Sequence, residues 1–338
     1  MIKRTVVFLW MVSLANTVIN AQELVKRTQV MMGTYVSISL PKEKLHLSSL
    51  AFERLKEVEM ALSSYDKSAE IYRLNHDKEI AITDDTYEAL SLSKQYYQDT
   101  QGYFDVTIGS ITKGLFHFGE QERIPNQSEL LHARVDLKGL HFNEAKAWID
   151  KGVKVDLGGM GKGFGVEKAV ELLREQGVTD GVIALSGDIF CFHACKMAIQ
   201  DPFSSRLLAN FTMAQNNTAI STSGDYRRYI KSRDYNHLIN PKTKRSQKSF
   251  ASITLISTQY SNAHLDAYAT AASVMPKSEA FAFLNDLKGV AYLVVTNDKK
   301  IYMNEVFKKV TLQMNIHASQ GLQKMSLIQS QPLDFSKR

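Results

Sequence analysis

The sequence predicts an α+β fold, because strand-like and helix-like patterns are mixed along one chain. Segments in which apolar residues alternate with polar ones are typical of strands, and segments with apolar residues three or four positions apart are typical of helices. Both kinds of segment occur in each half of the chain. The chain has 338 residues, of which 44% are hydrophobic and 22% are charged, as in an ordinary globular protein with a large core.

In the first half, residues 28–40 alternate well enough to predict a strand, and residues 48–62 have the apolar spacing of a helix. A second helix is predicted over residues 84–99, with Asp85 as its N-cap. The segment 102–111 begins at a glycine and is predicted to be a strand or a turn that packs inward.

In the second half, a glycine-rich segment precedes a helix that is predicted from Val166 to Gln176 and ended by Gly177. Two strands are predicted on either side of a short loop that contains both cysteines. The other predicted elements are a hairpin over 135–150, strands within 207–230 and over 252–258, helices over 262–275 and 277–288, and a hairpin over 289–307 that turns at residues 297–300.

The N-terminus predicts a signal peptide over residues 1–21. Lys3 and Arg4 form a short positive region, residues 5–19 are mostly apolar, and Ala21 is a small residue suited to cleavage. We therefore expect the mature protein to be exported, to the periplasm or to the outer face of the inner membrane. The region contains no cysteine that could carry a lipid anchor.

Residues 22–318 are predicted to form the folded domain, and residues 319–338, which lack periodicity, a mobile tail. The formal net charge of +6 suits an anionic ligand. No run of Lys and Arg exceeds two residues, and no pattern of interleaved aromatic and basic residues stands out. The sequence therefore does not predict a nucleic acid partner.

The two cysteines, Cys191 and Cys195, flank His193 in the segment CFHAC. Alternate spacing would place the three side chains on one face of a strand, as metal ligands require, but no fourth ligand is visible. In an exported protein the cysteines could instead form a disulfide. The sequence leaves both interpretations open.

Five glycines fall within eight residues of the segment GGMGKGFG, which starts at Gly158. Glycine is favoured where the backbone approaches another group closely, and a phosphate on a helix N-terminus is one such group. The segment lacks the Gly-Lys-Ser/Thr order of a Walker A loop. It predicts either a phosphate site or a tight turn between a strand and a helix.

Asp266 and Thr270 are four residues apart and share one face of the predicted helix. Their oxygens suit Mg²⁺, although a helix cap and a buried hydroxyl bonded to the backbone are the simpler interpretation of each residue alone. His237 follows a Ser-rich segment, but the G-x-S-x-G turn of a serine hydrolase is absent. Phe104 and Asp105, taken alone, indicate only a core aromatic residue and a turn carboxylate.

Eight motifs, in this order along the chain, together resemble the ApbE family of FAD:protein FMN transferases. The resemblance extends from about residue 28 to about residue 308. It implies an ApbE-like, T-fold-related α+β fold of mixed sheets with packed helices. The motifs are MGT (32–34), SSYDKSAEIYRLN (63–75), GYFDVTIG (102–109), DLGGMGKGFGVEK (156–168), SGD (186–188), AISTSGDY (219–226), HLINPKT (237–243) and LDAYATAASVM (265–275).

The resemblance implies that the glycine turn lies by the pyrophosphate of FAD and that Mg²⁺ is held by the backbone carbonyl of Gly161 and the side chains of Asp266 and Thr270. FMN would pass from FAD to a Thr or Ser hydroxyl of an acceptor flavoprotein, which the resemblance suggests is a membrane-bound respiratory subunit, and AMP would leave. His237 is the first candidate for the base and Asp266 the second. The implied FAD contacts are Met32, Tyr65, Phe104, Asp105, Gly158, Phe164, His237 and Leu238.

Two other functions remain open on the same residues: hydrolysis of FAD to FMN and AMP, and binding of FAD without chemistry. The sequence departs from the family pattern H-x-x-D-P-x-T-G, with Asn240 in place of Asp and Lys244 in place of Gly. The Gly-Gly-Asp of the family is Ser186-Gly187-Asp188 here. A second carboxylate that some relatives carry beside the metal-binding Thr is Ala269.

Overall fold

The structure is a computed structural model that describes residues 23–317. Its central element is a sheet of eight antiparallel strands within that range. All strands are numbered in chain order. In spatial order the central sheet is β1 (Leu24–Met31), β2 (Thr34–Pro41), β6 (Val182–Leu185), β7 (Asp188–Cys191), β10 (Thr218–Gly224), β13 (Phe250–Ser257), β14 (Ala291–Thr296) and β15 (Ile301–Met303).

Helices cover one face of this sheet and a smaller sheet covers part of the other. Strand β13 shows the division, because alternate side chains of a strand point to opposite faces. Ile253 and Leu255 belong to the core under the helices, whereas Ile256 belongs to a second core under the smaller sheet. The smaller sheet has the order β16 (Thr311–Ile316), β9 (Leu207–Met213) and β8 (Lys196–Gln200).

The helices that pack on the first face include α1, α6 and α7, which lie side by side. The helices are α1 (Leu47–Leu62), α2 (Glu70–Asp77), α3 (Asp84–Asp99), α4 (Gly109–Ile111), α5 (Gln127–His132), α6 (Gly161–Glu175), α7 (Asn262–Val274), α8 (Lys277–Asp286) and α9 (Glu305–Val310). The remaining strands form two small sheets, β3 (Glu79–Ala81) with β5 (Lys146–Ile149) and β4 (Leu140–Phe142), and β11 (Ile239–Asn240) with β12 (Arg245–Ser246).

The α+β prediction is confirmed, as are the long helices and the hairpins β4–β5 and β14–β15. The single strand predicted over 28–40 is wrong, because β1 and β2 form a hairpin there that turns at Met32 and Gly33. Both turn residues have positive φ, 49° and 71°, as in the two-residue turns that match strand twist. The segment 102–111 contains no strand; it forms a 3₁₀ turn and α4.

Two helix starts also differ from the prediction. Asp85 does not cap α3; Thr83 occupies the N-cap position, and Asp85 forms an ion pair with Arg54 of α1. Helix α6 begins at Gly161, five residues before the predicted start, so that it includes three of the five glycines. Glycine weakens a helix, but close packing of α6 against α7 requires it, as described below.

Cys191 and Cys195 form a disulfide, which excludes them as metal ligands in this state. The predicted signal peptide over 1–21 and the predicted tail over 319–338 lie outside the described residues. No helix within residues 23–317 is both long and apolar enough to cross a membrane.

The segment before the glycine turn is fixed by one buried side chain. Asn75 on α2 donates from Nδ2 to the carbonyl of Val155 at 2.8 Å and accepts from the N–H of Val155 at 2.7 Å. Both backbone groups of a non-strand residue are thereby satisfied in the interior. The glycine turn thus begins from a fixed position.

Gly163 is the position where α6 and α7 approach most closely in the glycine segment. A Cβ atom there would lie 2.2 Å from the backbone oxygen of Asn262 and 2.8 Å from Cβ of Asp266. At Gly161, two residues earlier on the same helix, the nearest atom to a Cβ is Cδ1 of Leu62 at 3.9 Å. The two glycines therefore have different roles.

We expect Gly163→Ala to destabilise the protein by about 2 kcal/mol or more, because the added methyl forces α6 away from α7. Gly161→Ala is the matched control, and it should stabilise the protein by up to about 1 kcal/mol, since alanine is the better helix former. Denaturant unfolding of the two variants beside the parent measures both effects. Equal stability of the two variants would contradict the close-approach argument.

Candidate active site

A cavity of about 1050 Å³ opens where the glycine turn meets the central sheet. It is lined by all but one of the residues that the resemblance assigns to the site. Those residues are Met32, Tyr65, Phe104, Asp105, Gly158, Gly161, His237, Leu238, Asp266 and Thr270. The fold thus brings together residues that lie more than 200 positions apart in the sequence.

Phe164 is the exception. Its side chain is fully buried in the core under the helices and does not line the cavity. Helix α6 turns this position away from the cavity while it directs Lys162 toward it. A direct contact of the Phe164 ring with a ligand in the cavity is therefore not supported.

Asp266 lies on α7 with its carboxylate buried, and it is not a helix cap, because Ser261 occupies that position. It accepts a hydrogen bond from the N–H of Gly163 at 3.0 Å and lies 3.2 Å from Nζ of Lys162. Burial and the neighbouring negative charge of Asp188 raise the pKa of Asp266 to about 7, although Lys162 opposes the shift. Desolvation thus makes the ionised form of this carboxylate costly, and protonation competes with it near neutral pH.

Lys162 and Asp188 complete a buried charge cluster that the sequence analysis did not assign to the site. Nζ of Lys162 lies 2.8 Å from Oδ2 of Asp188, and Oδ1 of the same carboxylate accepts from the hydroxyl of Ser221 at 2.6 Å. Burial alone would lower the pKa of Lys162, but the two carboxylates outweigh it and raise the pKa. The Ser-Gly-Asp motif and the Lys inside a glycine cluster were the signals that could have found this pair.

Thr270 lies one helical turn beyond Asp266, and its hydroxyl is 3.2 Å from that of Ser223 on β10. The glycine in contact with Thr270 is Gly159, where a Cβ atom would lie 2.9 Å from the Thr270 methyl and 3.2 Å from the ring of Phe104. Gly161 lines the cavity, but it is the first residue of α6. The chain at Gly159 therefore approaches Thr270 so closely that a larger residue would not fit there.

The glycine turn offers fewer free N–H groups than a phosphate-binding turn would suggest. The N–H of Gly158 donates to the Asp156 carboxylate at 3.0 Å, and those of Met160 and Gly161 both donate to the carbonyl of Leu157. The N–H of Gly163 is taken by Asp266. An anion at this turn is therefore stabilised chiefly by the Lys162 charge and by any bound cation, rather than by a ring of backbone donors.

The ring of Tyr65, which also lines the cavity, has two cationic side chains close to it. Nζ of Lys113 lies 3.1 Å from the centre of its ring, and the Arg228 guanidinium lies 5.3 Å from it. A π-helical turn, Thr112–Phe116, brings Lys113 to this position, and burial lowers the pKa of its amine to about 8. One face of Tyr65 is therefore covered, while the ring remains 38% exposed for stacking of a planar ligand.

His237 is neutral at physiological pH. Burial lowers its pKa to about 4, even though the hydrogen bond to the backbone opposes the shift. Its Nδ1 lies 3.1 Å from the carbonyl oxygen of Arg228, which can only accept, so Nδ1 carries the proton. Nε2 is then left unprotonated, as a general base requires.

The turn that carries His237 keeps its shape despite the two departures from the family pattern. The Asn240 side chain accepts from the N–H groups of Lys242 and Thr243 and donates to the carbonyl of Val274 at 2.7 Å. Lys244 adopts a positive φ of 57° where the family pattern has glycine, and its Nζ donates to two carbonyls at the C-terminal end of α5, those of Leu131 and Ala133. These bonds offset the strain of a non-glycine residue in that conformation.

The donor set in the cavity is compatible with a hard cation. One buried carboxylate, a hydroxyl one turn away and a backbone oxygen beside it are the oxygen ligands that Mg²⁺ prefers, with water and phosphate to complete the shell. Within residues 23–317, no group of three or more His, Cys, Asp or Glu side chains is arranged to hold a metal ion.

Comparison with known proteins identifies the family of the chain. The model of the ApbE family matches residues 32–294. Proteins named FAD:protein FMN transferase from Haemophilus influenzae and Vibrio cholerae are 28% and 26% identical to this chain, over 81% and 88% of it and 86% and 98% of their own lengths.

Solved structures share the fold. The ApbE protein of Thermotoga maritima superposes with a TM-score of 0.78 at 22% identity, covering 86% of this chain and 100% of its own. The flavin transferase ApbE of Vibrio cholerae gives a TM-score of 0.74 at 24% identity, covering 85% and 99%. With the family match extending over most of the described residues, the chain belongs to the ApbE family.

Proposed function

We propose that this protein is an FAD:protein FMN transferase, which moves FMN from FAD to a hydroxyl of an acceptor flavoprotein and releases AMP. The observation that carries the proposal is the buried Lys162–Asp188–Asp266 cluster beside Thr270, at the base of a cavity large enough for a dinucleotide. The relatives that bear this name align over most of this chain.

Mg²⁺ would be held by Asp266, Thr270 and a backbone oxygen of the glycine turn. The resemblance assigns that oxygen to Gly161, which lines the cavity together with Asp266 and Thr270. When bound, the cation would neutralise charge on the pyrophosphate and stabilise the leaving AMP. The flavin side of FAD would lie toward Tyr65, Met32 and Phe104, which line the same cavity.

His237 is the better candidate for the general base, because its Nε2 is unprotonated and available to accept a proton. Asp266 already accepts a hydrogen bond from the N–H of Gly163 and pairs with Lys162. We therefore assign it to cation binding rather than to proton transfer. Lys162 keeps a positive charge at the base of the cavity, where it would hold a phosphate oxygen or retain the Asp188 carboxylate. The three residues with proposed roles lie on different elements: Lys162 on α6, Asp266 on α7, and His237 in the segment before β11.

The acceptor would be a flavoprotein subunit outside the cytoplasm, and we propose a membrane-bound respiratory one. The basis is the pattern of the first 21 residues, together with the disulfide, since disulfides persist in oxidising compartments. The proposed reaction has two substrates, this acceptor protein and FAD.

The proposal is tested by transfer to natural acceptors. The purified protein, FAD and Mg²⁺ are incubated with membranes from a strain of the source organism that lacks this gene, and labelled bands are detected by flavin fluorescence after denaturing electrophoresis. A fluorescent band whose tryptic peptide gains one FMN on Ser or Thr, with AMP released, is expected. AMP and free FMN without a labelled band would indicate an FAD hydrolase, and intact FAD would indicate a binding protein.

Asp266→Asn should lower kcat/KM for transfer by about a thousandfold, because it removes the charge that holds the cation while keeping the shape of the side chain. Asp201→Asn is the matched control: Asp201 is equally buried but lies outside the cavity lining. Unfolding midpoints of both variants show whether the fold survives. Full activity of the Asp266 variant would remove that residue from the site.

The affinity for Mg²⁺ should fall as the pH is lowered through about 7. The cation binds the ionised carboxylate, and the pKa of Asp266 is raised to about 7, so below that value a proton competes for the same oxygens. The apparent Kd should rise by up to about tenfold for each pH unit below 7 and level off above 8. Isothermal titration of the FAD-free protein with MgCl₂ from pH 5.5 to 8.5 measures this, and a Kd that is constant over the range would contradict it.

A further inference from the structure

The cavity extends to both faces of the central sheet. The residues described so far lie on the helical face, but a second set on the opposite face lines the same cavity. This second part, called here the rear lobe, lies between the central sheet and β8–β9. Its residues are Tyr35, Ser37, Ala184, Ile189, Met197, Ala198, Ile199, Phe211, Ile220 and Thr222.

The alternation of side chains along the strands places the rear lobe on the sheet face away from the helices. On β2, Val36 and Ile38 pack in the core under the helices, so Tyr35 and Ser37 point to the other side. On β10, Ser223 reaches Thr270 on the helical side, whereas its neighbour Thr222 bonds to Thr254 on the other face. A ligand confined to the helical face would not reach this lobe.

The two lobes join at a notch in the central sheet. The hairpin β6–β7 turns at Ser186 and Gly187, and its neighbours β2 and β10 extend beyond it. β2 runs on through Thr34 and Tyr35 past its last pairing with β6, and β10 runs on to Gly224 past its last pairing with β7. Asp188 of the charge cluster is the first residue after this turn, so the notch opens directly beside the site.

The rear lobe has the features of a surface that binds an extended polypeptide. Strand β8 is an edge strand of its sheet within the described residues, so one side of its backbone has no strand partner. Met197 and Ile199 of β8 pack in the second core, so the exposed Ala198 between them points to the outer face of the small sheet. Across the lobe, the cross-strand pair Val30 and Tyr35 is 71% and 72% exposed, an unusual amount for two large apolar side chains in contact positions.

We propose that the rear lobe is the docking site of the acceptor polypeptide, which binds in extended form along the free edge of β8 and passes its Ser or Thr hydroxyl through the notch at Ser186–Gly187. This inference rests on the proposed transferase function. It assigns the acceptor an apolar residue next to the modified hydroxyl, to pack on Tyr35 and Ile189. Backbone pairing gives affinity for any extended segment, and the apolar contact gives selectivity.

The arrangement separates the two substrates on opposite faces of one sheet. The acceptor oxygen forms a bond to the FMN phosphorus, and the bond from that phosphorus to the AMP oxygen breaks. The hydroxyl proton passes to the base, for which His237 is the candidate, and AMP leaves with the electron pair of the broken bond. Entry of the hydroxyl from the rear and of FAD from the helical face lets attack and departure occur on opposite sides of the phosphorus.

The test uses Tyr35→Ala and Val30→Ser, each of which removes an exposed apolar side chain beside the rear lobe without altering a buried one. Leu312→Arg is the control, because Leu312 is 53% exposed on β16, at the opposite edge of the same small sheet and outside the cavity lining. Each variant is assayed with the same gene-deleted membranes, for the rate at which the acceptor band becomes fluorescent. FAD affinity is measured in parallel by titration without membranes.

The Tyr35 and Val30 variants should lower the labelling rate at limiting acceptor by at least about tenfold, with FAD affinity within twofold of the parent and the Leu312 variant unchanged. Equal labelling by parent and variants overturns the docking proposal while the transferase function stands. A parallel loss of FAD affinity also overturns it, since the rear lobe would then be part of the dinucleotide site. If the parent labels no band at all, the transferase function itself fails.

Discussion

The buried cluster of Lys162, Asp188 and Asp266 is the interaction on which the site depends. It joins α6, β7 and α7, three elements that are distant in sequence, through charges that would be costly to bury singly. Each carboxylate also has a neutral donor, Ser221 for Asp188 and the N–H of Gly163 for Asp266. The charges are paired only when α6, β7 and α7 are correctly packed together. The contacts that stabilise this packing are therefore the same ones that form the site.

Glycine has two uses in this region, and neither is a ring of phosphate donors. At Gly163 it lets α6 approach α7 so that its N–H reaches Asp266, and at Gly159 it lets the turn approach Thr270 and Phe104. The N–H groups of the turn are mostly committed within the protein. A pyrophosphate bound as proposed would therefore depend on the charge of Lys162 and of a cation, rather than on backbone donors.

The sequence predicted the fold class, most helices and the residues that line the cavity, because these follow from periodicity and from a set of ordered motifs. It missed the hairpin at Met32–Gly33 and the early start of α6, since both depend on packing that overrides local propensity. The resemblance implied a contact of Phe164 with FAD, and the ring of that residue is buried in the core under the helices, where motif order alone cannot place it. Lys113 behind Tyr65 could not have been predicted, as a π-helical turn has no clear sequence pattern.

The charge of the cluster has a consequence for how substrate and cation influence each other. When Asp266 is ionised, two carboxylates and one ammonium give the cluster a net charge of minus one, which would repel a pyrophosphate. A divalent ion at Asp266 would reverse that sign and attract the same group. By reciprocity of linked equilibria, the dinucleotide must then strengthen cation binding by the same factor, so the pair of ligands behaves as a cooperative unit rather than as two independent occupants.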